Sequence, residues 1–264
     1  MFCKSEKKII EAIKEIGKEL IILKNNYSID NKPDGSPVTS LDLYVDERLK
    51  KIVTKLYPRS CIISEETSNK FLVYEDDDFF LIDPIDGTKE FISNRFDYTI
   101  NLCRLKNKVP FFSVVYCPEI DELYYAKKGT GSFLNGKALK DSNNHNNLKI
   151  VASNSHSSKN FSNKLAKFLG LKIIKNERMG SSLKICRIAK GDFNLYPRYH
   201  PTMEWDIAAA HLILSEAGGS IRTQKDLTEL TYLKSDFKNE NFIASIGLDD
   251  KLLRKVASFK PHDI

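Results

Sequence analysis

The 264-residue sequence predicts a mixed chain, α+β in its first half, where N-terminal helices lie on an antiparallel sheet, and α/β in its second. Three observations predict it. Ile9, Ile13, Ile16, Leu20 and Leu23 recur at helical spacing. Short apolar runs joined by turns follow one another from residue 79 to residue 127, and strand-like and helix-like segments alternate beyond residue 148.

Taken in order, the opening "MFCKSEKKIIEAIKEIGKELIILK" reads as an amphipathic helix that packs on the body, and it lacks the apolar core of a signal peptide. Residues 40–56 read as a second helix. Strands are expected at 79–82, 98–105, 110–116 and 122–127, joined by turns such as "KNK" and "CPEID". There follow a strand at 148–153, a helix near 159–168, a strand at 171–175, a helix at 182–190 and a strand at 193–196. A helix at 203–217, with Thr202 as N-cap and Gly218 as its stop, a strand at 242–245 and a final helix complete the chain. The polar stretch "KDSNNHNN" (140–147) separates the styles, so the boundary is placed there, between an N-terminal half over 1–145 and a C-terminal half over 146–264.

Composition narrows the class. With 41% hydrophobic and 29% charged residues the chain can bury a full core. No run approaches the ~18 consecutive apolar residues of a membrane span. Five scattered cysteines without a C-x-x-C pair suit a reducing cytoplasm better than a disulfide framework or a zinc site. The formal charge of +6 is spread along the chain and no nucleic-acid motif appears, which argues against nucleic acid and fits a mild attraction to anionic substrates or membrane surfaces.

The most informative stretch is "DPIDGTKEF" (83–91). Asp, Pro and Gly together ordinarily mark a turn. Here, however, Asp83 and Asp86 stand at the carboxyl end of the apolar run 79–82, the place where open α/β structures put their ligands. Lys89 would fall in the first turn of a helix, where the dipole disfavours a cation unless an anion lies between. Carboxylates, a glycine and a misplaced cation together suggest metal plus phosphate.

Three further carboxylate sites accompany it. Glu65 and Glu66 follow the apolar run of "CIISEET", although a glutamate pair is ordinarily a solvated loop. Asp42, in "SPVTSLDLY", lies at a helix start that Thr39 or Ser40 would cap. Asp206 lies in an early turn of "TMEWDIAAAHLILSEAGG", a helix apolar on nearly every side, where a carboxylate must be neutralised, paired or bound to a cation. Mg²⁺ takes about six oxygens and keeps several waters, so Glu65, Asp83, Asp86 and Asp206, with the carbonyl of Ile85, form a suitable set. No HExxH or cysteine cluster argues for zinc.

In order and spacing, "SEE", "DPIDGTKEF" and "WDIAAAHLILSEAGG" resemble the inositol monophosphatase-like superfamily of Mg²⁺-dependent phosphatases. "SPVTSLD", "SVVYCP", "SNSH", "GSSLKIC" and "LYPRYHPTMEWD" extend the resemblance to its bisphosphate-nucleotidase branch over roughly residues 35 to 245. The resemblance implies a layered αβαβα sugar-phosphatase fold and two or three Mg²⁺ ions. It implies a first ion held by Glu65, Asp83 and the Ile85 carbonyl, and a second held by Asp83, Asp86 and Asp206. It further implies that Asp42 and Thr88 orient and deprotonate the attacking water while backbone amides around Gly87 and Thr88 grip the phosphate. After "EAGGSI" the chain departs from the family's Asp-then-Gly pattern and runs "RTQKDLTELTY", which touches no metal ligand.

Substrate choice must come from the pocket around the metals. "DGTKEF" is similar to the nucleotidase form, where inositol phosphatases resemble "DGTTNF", and Lys89 suits a substrate with additional negative charge. Lys184 lies in the first turn of a helix that Ser181 or Ser182 would cap and Gly191 would stop, again a cation where the dipole disfavours it; a solvent-facing lysine is the alternative. Arg198 in "YPRYHP" can fork over phosphate oxygens or simply lie on the surface. Ser153 and His156, in "SNSH", end a strand. By resemblance Ser153, His156 and Gly180 surround a nucleotide, and the 5′-phosphate meets Ser182, Lys184 and Arg198. The implied reaction is release of the 3′-phosphate of adenosine 3′,5′-bisphosphate, a Li⁺-sensitive step in sulfur metabolism. The implied place is the cytoplasm, with relatives peripheral to the inner face of the membrane. An inositol or broad sugar phosphatase, or a nucleotide-binding protein without turnover, are the alternatives.

Overall fold

The computed structural model describes residues 1–67, 78–139, 147–154, 157–158 and 160–260. His156 and most of the polar stretch 140–147 lie outside the described residues. The first half comprises α1 (Lys4–Leu23), β1 (Ile29–Asn31), β2 (Pro37–Thr39), α2 (Ser40–Leu56), β3 (Cys61–Ser64), β4 (Asp78–Asp86), α3 (Thr88–Ile92), β5 (Thr99–Lys106), β6 (Val109–Cys117), β7 (Glu122–Lys127), β8 (Gly131–Leu134) and β9 (Lys137–Ala138). The second comprises β10 (Leu148–Ser153), α4 (Phe161–Leu169), β11 (Ile173–Met179), α5 (Leu183–Ala189), β12 (Leu195–Arg198), β13 (Thr202–Met203), α6 (Glu204–Glu216), β14 (Ser220–Thr223), β15 (Lys238–Asn239), β16 (Phe242–Ser245) and α7 (Asp250–Ser258).

A seven-stranded sheet in the order β3-β4-β5-β6-β7-β8-β9 is antiparallel except for the parallel pair β3/β4. Both of its faces are covered, which is why β4 reads as a continuous apolar run rather than an alternating one. Phe80 and Ile82 point toward the α1/α2 layer and pack with Ile13, Ile16, Leu20, Val45 and Leu49. Phe79 and Leu81 point the other way, into a core shared with α5 and α6. That middle layer is covered in turn by a five-stranded sheet, β11-β10-β12-β16-β14, whose outer face packs Ile150, Leu195 and Ile243 against Phe161 and Leu165 of α4 and Leu253 and Val256 of α7. The result is five layers, helices–sheet–helices–sheet–helices, as expected. α6 lies between two sheets, and so Ala208, Ala209, Ala210, Ile213 and Leu214 are all fully buried. Each fully buried Leu or Ile contributes roughly 1.5–3 kcal/mol by removal from water.

The expected helices and strands are present, with five differences. β12 occupies 195–198 rather than 193–196. β4 runs through Pro84 to Asp86 instead of stopping at 82. β11 occupies 173–179 rather than 171–175; it is an edge strand carrying Lys175, Glu177 and Arg178, so its apolar pattern is weak. Short strands β1, β2, β8, β9, β13, β14 and β15 fall below any periodicity signal. The N-cap of α6 is Met203 rather than Thr202, and the group that caps it is the Asp206 carboxylate, which accepts the Met203 N–H at 2.8 Å. Gly218 does end that helix, at φ 95°.

One irregularity positions the site. Asp83 pairs with Asn101 and Asp86 pairs with Thr99, so three steps along β4 match two along β5. Residues three apart in a regular strand face opposite sides. The extra residue, at a point where Pro84 has no N–H to give the ladder, restores the parity. Asp83, Asp86, Asn101 and Thr99 therefore share the face that looks toward the middle layer.

Candidate active site

The carboxyl ends of parallel strands meet in one place. β3 and β4 run side by side, so Glu65 follows one and Asp83–Asp86 close the other. β10, β11 and β12 are mutually parallel, and their ends deliver Ser153, the Gly180–Ser182 turn and Arg198. These residues line one cavity of about 340 Å³, with Ile85, Gly87, Thr88, Lys89, Lys184 and Asp206. Asp42 lies behind Thr88, and His156 is outside the described residues.

The acidic side is built from three chain regions. One oxygen each of Glu65, Asp83 and Asp206 lies within 4.8 Å of the other two. At that spacing and an effective dielectric of about 20, each pair of ionised carboxylates repels by roughly 3 kcal/mol. Asp83 is almost wholly buried and its Oδ1 has no hydrogen-bond partner. Burial, and then Glu65, Asp86 and Asp206, push its carboxyl well above the ordinary range. Asp206 is raised for the same reasons, burial first and then Asp86 and Glu65; it is enclosed by protein yet keeps partial solvent contact. An orphaned buried carboxylate oxygen among like charges calls for a cation, and a donor set made only of oxygens fits Mg²⁺ rather than zinc.

Asp86 stands beside this trio rather than inside it. Its Oδ2 accepts from the Ser182 N–H at 2.5 Å and from Asn101 Nδ2 at 3.1 Å. Burial pushes its carboxyl up to about 6, held back by Lys184 and by these two donors.

Lys32 was not among the expected site residues. Its ammonium, from the turn between β1 and β2, donates to Glu65 at 2.6 Å and to Glu66 at 2.9 Å. Burial works against its charge, but Glu65 and then Glu66 outweigh it and hold it above its ordinary value. The only signal for it in the sequence is a lysine beside a Pro-Asp-Gly turn, which is common. Asn101 was also missed, although an asparagine in the apolar strand "TINLC" is a polar group that burial forces to find partners.

Between the acidic trio and the α2 start lies a chain of hydrogen bonds. Thr88 Oγ1 is 3.3 Å from Asp42 Oδ1 and 3.1 Å from the Ile85 carbonyl. Asp42 Oδ2 accepts from the Thr39 N–H at 2.7 Å and the Thr39 hydroxyl at 2.5 Å, while the Thr39 hydroxyl accepts from the Asp42 N–H. The cap expected at Thr39 is thus real, and it also orients Asp42. Burial raises the Asp42 carboxyl against these bonds. Gly87, at φ 89°, makes the turn from β4 into α3 that brings Thr88 there.

Cations form the other side. Lys89 is exposed at the cavity edge. Lys184 is buried, lies 5.4 Å over the Tyr196 ring and donates to the carbonyls of Ser181 at 2.6 Å and Met179 at 3.2 Å. Burial lowers its pKa to about 8, partly countered by Asp86. Arg198 is buried too, donating to the carbonyls of His200 and Pro201. The Gly180–Ser182 turn is tightly seated: a Cβ at Gly180 would come within 2.6 Å of Glu90, and Ser181 is held at φ 44°. Ser182 does not cap α5 with its hydroxyl, which donates instead to Asn101 Oδ1 at 2.8 Å; Ser181 Oγ accepts the Leu183 N–H.

Comparison with known proteins finds relatives over most of the chain. The chain is 34% identical over 248 residues to the 3′(2′),5′-bisphosphate nucleotidase CysQ of Buchnera aphidicola subsp. Acyrthosiphon pisum, covering 90% of this chain and 92% of that protein. Among solved structures it superposes on CysQ of Bacteroides thetaiotaomicron with a TM-score of 0.76 at 25% identity, covering 94% of this chain and 99% of that one. It superposes on an IMPase of Thermotoga maritima with a TM-score of 0.78 at 26% identity, covering 94% of both chains. The inositol monophosphatase family model matches residues 3–258, and the chain belongs to that family.

Proposed function

We propose that the protein is a Mg²⁺-dependent phosphatase that hydrolyses the 3′-phosphate of adenosine 3′,5′-bisphosphate to AMP and phosphate. The observation that supports this best is one cavity with an all-oxygen acidic cluster on one side and Lys89, Lys184 and Arg198 on the other. A simple monophosphate needs only the first side. Relatives named CysQ for the same activity support the same choice.

Glu65, Asp83 and the Ile85 carbonyl would hold one ion, and Asp83, Asp86 and Asp206 a second. Ions bound there supply charge neutralisation of the phosphoryl group and a lowered pKa for the attacking water. The protein's own part is positioning and proton transfer. Thr88 Oγ1 takes a proton from the water as it passes its own to Asp42 Oδ1, 3.3 Å away. Burial makes Asp42 a stronger base than an exposed aspartate. The new P–O bond forms from the water oxygen, the bond to the 3′-oxygen breaks, and that oxygen takes up a proton from solvent. Gly87 and Thr88 backbone amides hold the phosphate being cleaved and Lys89 adds charge beside it. The 5′-phosphate lies toward Ser182, Lys184 and Arg198, with Ser153 near the ribose. The division into halves 1–145 and 146–264 then has a purpose, since the metal ligands come mostly from the first and the nucleotide contacts from the second. Among the described residues no helix is long and apolar enough to cross a membrane. The buried free thiols of Cys103, Cys117 and Cys186 fit a cytoplasmic protein, and the proposed reaction fits a part in sulfur assimilation and nucleotide recycling.

One observation favours an inositol or broad sugar phosphatase instead: Lys184 and Arg198 already spend donors on backbone carbonyls. Phosphate release from adenosine 3′,5′-bisphosphate and from inositol 1-phosphate, each with Mg²⁺ and with EDTA, decides between them. Preferred turnover of the bisphosphate in Mg²⁺ is expected; preference for inositol 1-phosphate would overturn the reading.

A further inference from the structure

We propose that Asn101 is a positioning residue that fixes the orientation of Asp86 and, through Ser182, ties this metal-holding carboxylate to the loop facing the substrate. The inference rests on Asp86 belonging to the cation site. Asn101 is fully buried in the middle of β5, between Ile100 and Leu102 of the opposite face. The bulge in β4 places it on the same face as Asp83, with which it pairs, and as Thr99, which pairs with Asp86.

Its two polar atoms have opposite jobs. Nδ2 donates to Asp86 Oδ2 at 3.1 Å, and Oδ1 accepts from the Ser182 hydroxyl at 2.8 Å, which also lies 3.0 Å from Thr99 Oγ1. The reverse amide orientation would set a carbonyl oxygen against a carboxylate oxygen, so the network admits one orientation. The Ser182 N–H reaches the same Asp86 Oδ2 at 2.5 Å. Both donations fall on one oxygen, which pins the carboxylate and reserves its other oxygen for a cation. Ser182 directly follows the strained Ser181, whose carbonyl holds the Lys184 ammonium. A shift of this loop when the substrate's second phosphate arrives is therefore felt at Asp86, and the reverse holds by reciprocity. Partners of this kind, one bond out from a metal ligand, cost roughly 10–100-fold in metal affinity or activity when removed.

The test titrates Mn²⁺ calorimetrically into the full chain, its Asn101→Leu variant and its Ser182→Ala variant, without nucleotide and with AMP, and records melting temperature in EDTA and in Mn²⁺. Asn101→Leu is expected to weaken Mn²⁺ binding roughly 10–100-fold, to shrink the Mn²⁺-induced rise in melting temperature, and to abolish the mutual tightening of Mn²⁺ and AMP. A role in folding alone would lower the melting temperature equally in EDTA and in Mn²⁺ and would leave the affinity unchanged. Ser182→Ala keeps the N–H on Asp86 but frees the Asn101 carbonyl, so it should weaken Mn²⁺ several-fold, and it decides the matter alone if Asn101→Leu does not fold. Mn²⁺ affinity within about twofold of the parent in the folded variants overturns the proposal while leaving the cation site intact. No Mn²⁺ binding by the parent overturns the cation site itself, and the proposal with it.

Discussion

The two sides of the cavity solve the same problem in opposite ways. Both bury charge. On the cationic side Lys184 and Arg198 each donate to two backbone carbonyls, so both groups have partners within the protein, although burial still lowers the Lys184 pKa to about 8. On the acidic side Glu65, Asp83 and Asp206 crowd together, Asp83 Oδ1 has no partner, and Lys32 answers Glu65 alone among them. A buried charge whose partners are internal is part of a scaffold that can offer a remaining donor to an anion. A buried charge without partners is waiting for something the chain does not contain.

The largest effect that can break this comparison is Asp83→Asn. It should reduce turnover well beyond the roughly 10–100-fold that an outer partner costs. It should also leave the melting temperature in EDTA equal or higher, because it removes repulsion from the acidic side. A large loss of stability in EDTA would mean that Asp83 is a folding residue. Next, Asp42→Asn should lower kcat by roughly 10²–10⁴-fold, the usual worth of a general base, with Mn²⁺ affinity unchanged. Loss of both together would place Asp42 among the ion-holding groups instead.

Lys184→Met sharpens the other side. Losing a charge-assisted contact worth roughly 1.5–3 kcal/mol should raise KM for adenosine 3′,5′-bisphosphate about 10–100-fold, and KM for 3′-AMP far less. Its pKa of about 8, below the ordinary 10.5, means that it is charged below pH 8 and neutral above. KM for the bisphosphate should thus rise as pH climbs through 8 in the parent and stay flat in the variant. Equal effects on both substrates would make Lys184 pure scaffold.

The smallest effect on the cavity is expected from a buried group outside it. His211 is hydrogen-bonded to Tyr232 at 2.7 Å, and burial lowers it from 6.5 to about 4. The unfolded chain binds its proton below pH 6.5 while the folded one does so only near pH 4. Between these values stability should therefore fall as pH falls, by about 3 kcal/mol in all. His211→Phe should flatten that part of the urea-unfolding profile without changing turnover at neutral pH.

Much of this was legible in the chain itself, for identifiable reasons. Helices on an antiparallel sheet, followed by an α/β half, are readable from an apolar stripe at helical spacing, a meander of short apolar runs and the strand–helix alternation beyond residue 148, whereas the five-layer order is implied only by the family resemblance. Asp206 stood out because a carboxylate in "WDIAAAH" has nowhere to hide, and Asp83 and Asp86 because they close a buried strand. Lys32 and Asn101 were not legible. Each matters through a partner more than thirty residues away for Lys32, and through β5 register for Asn101, and neither relation has a local pattern. The Thr202 cap misled because Thr is the better cap by type, while the Asp206 carboxylate was already aimed at the Met203 N–H. The shift of β11 reflects an edge strand whose charges hide its period.

Crystals soaked in Mn²⁺ reveal by anomalous scattering whether the acidic side holds divalent cations. The expected result is an anomalous peak bounded by the carboxylates of Glu65, Asp83 and Asp206, with the Lys32 ammonium withdrawn from Glu65. Full-strength soaking that leaves no peak there, with Lys32 still bound to Glu65, would contradict it.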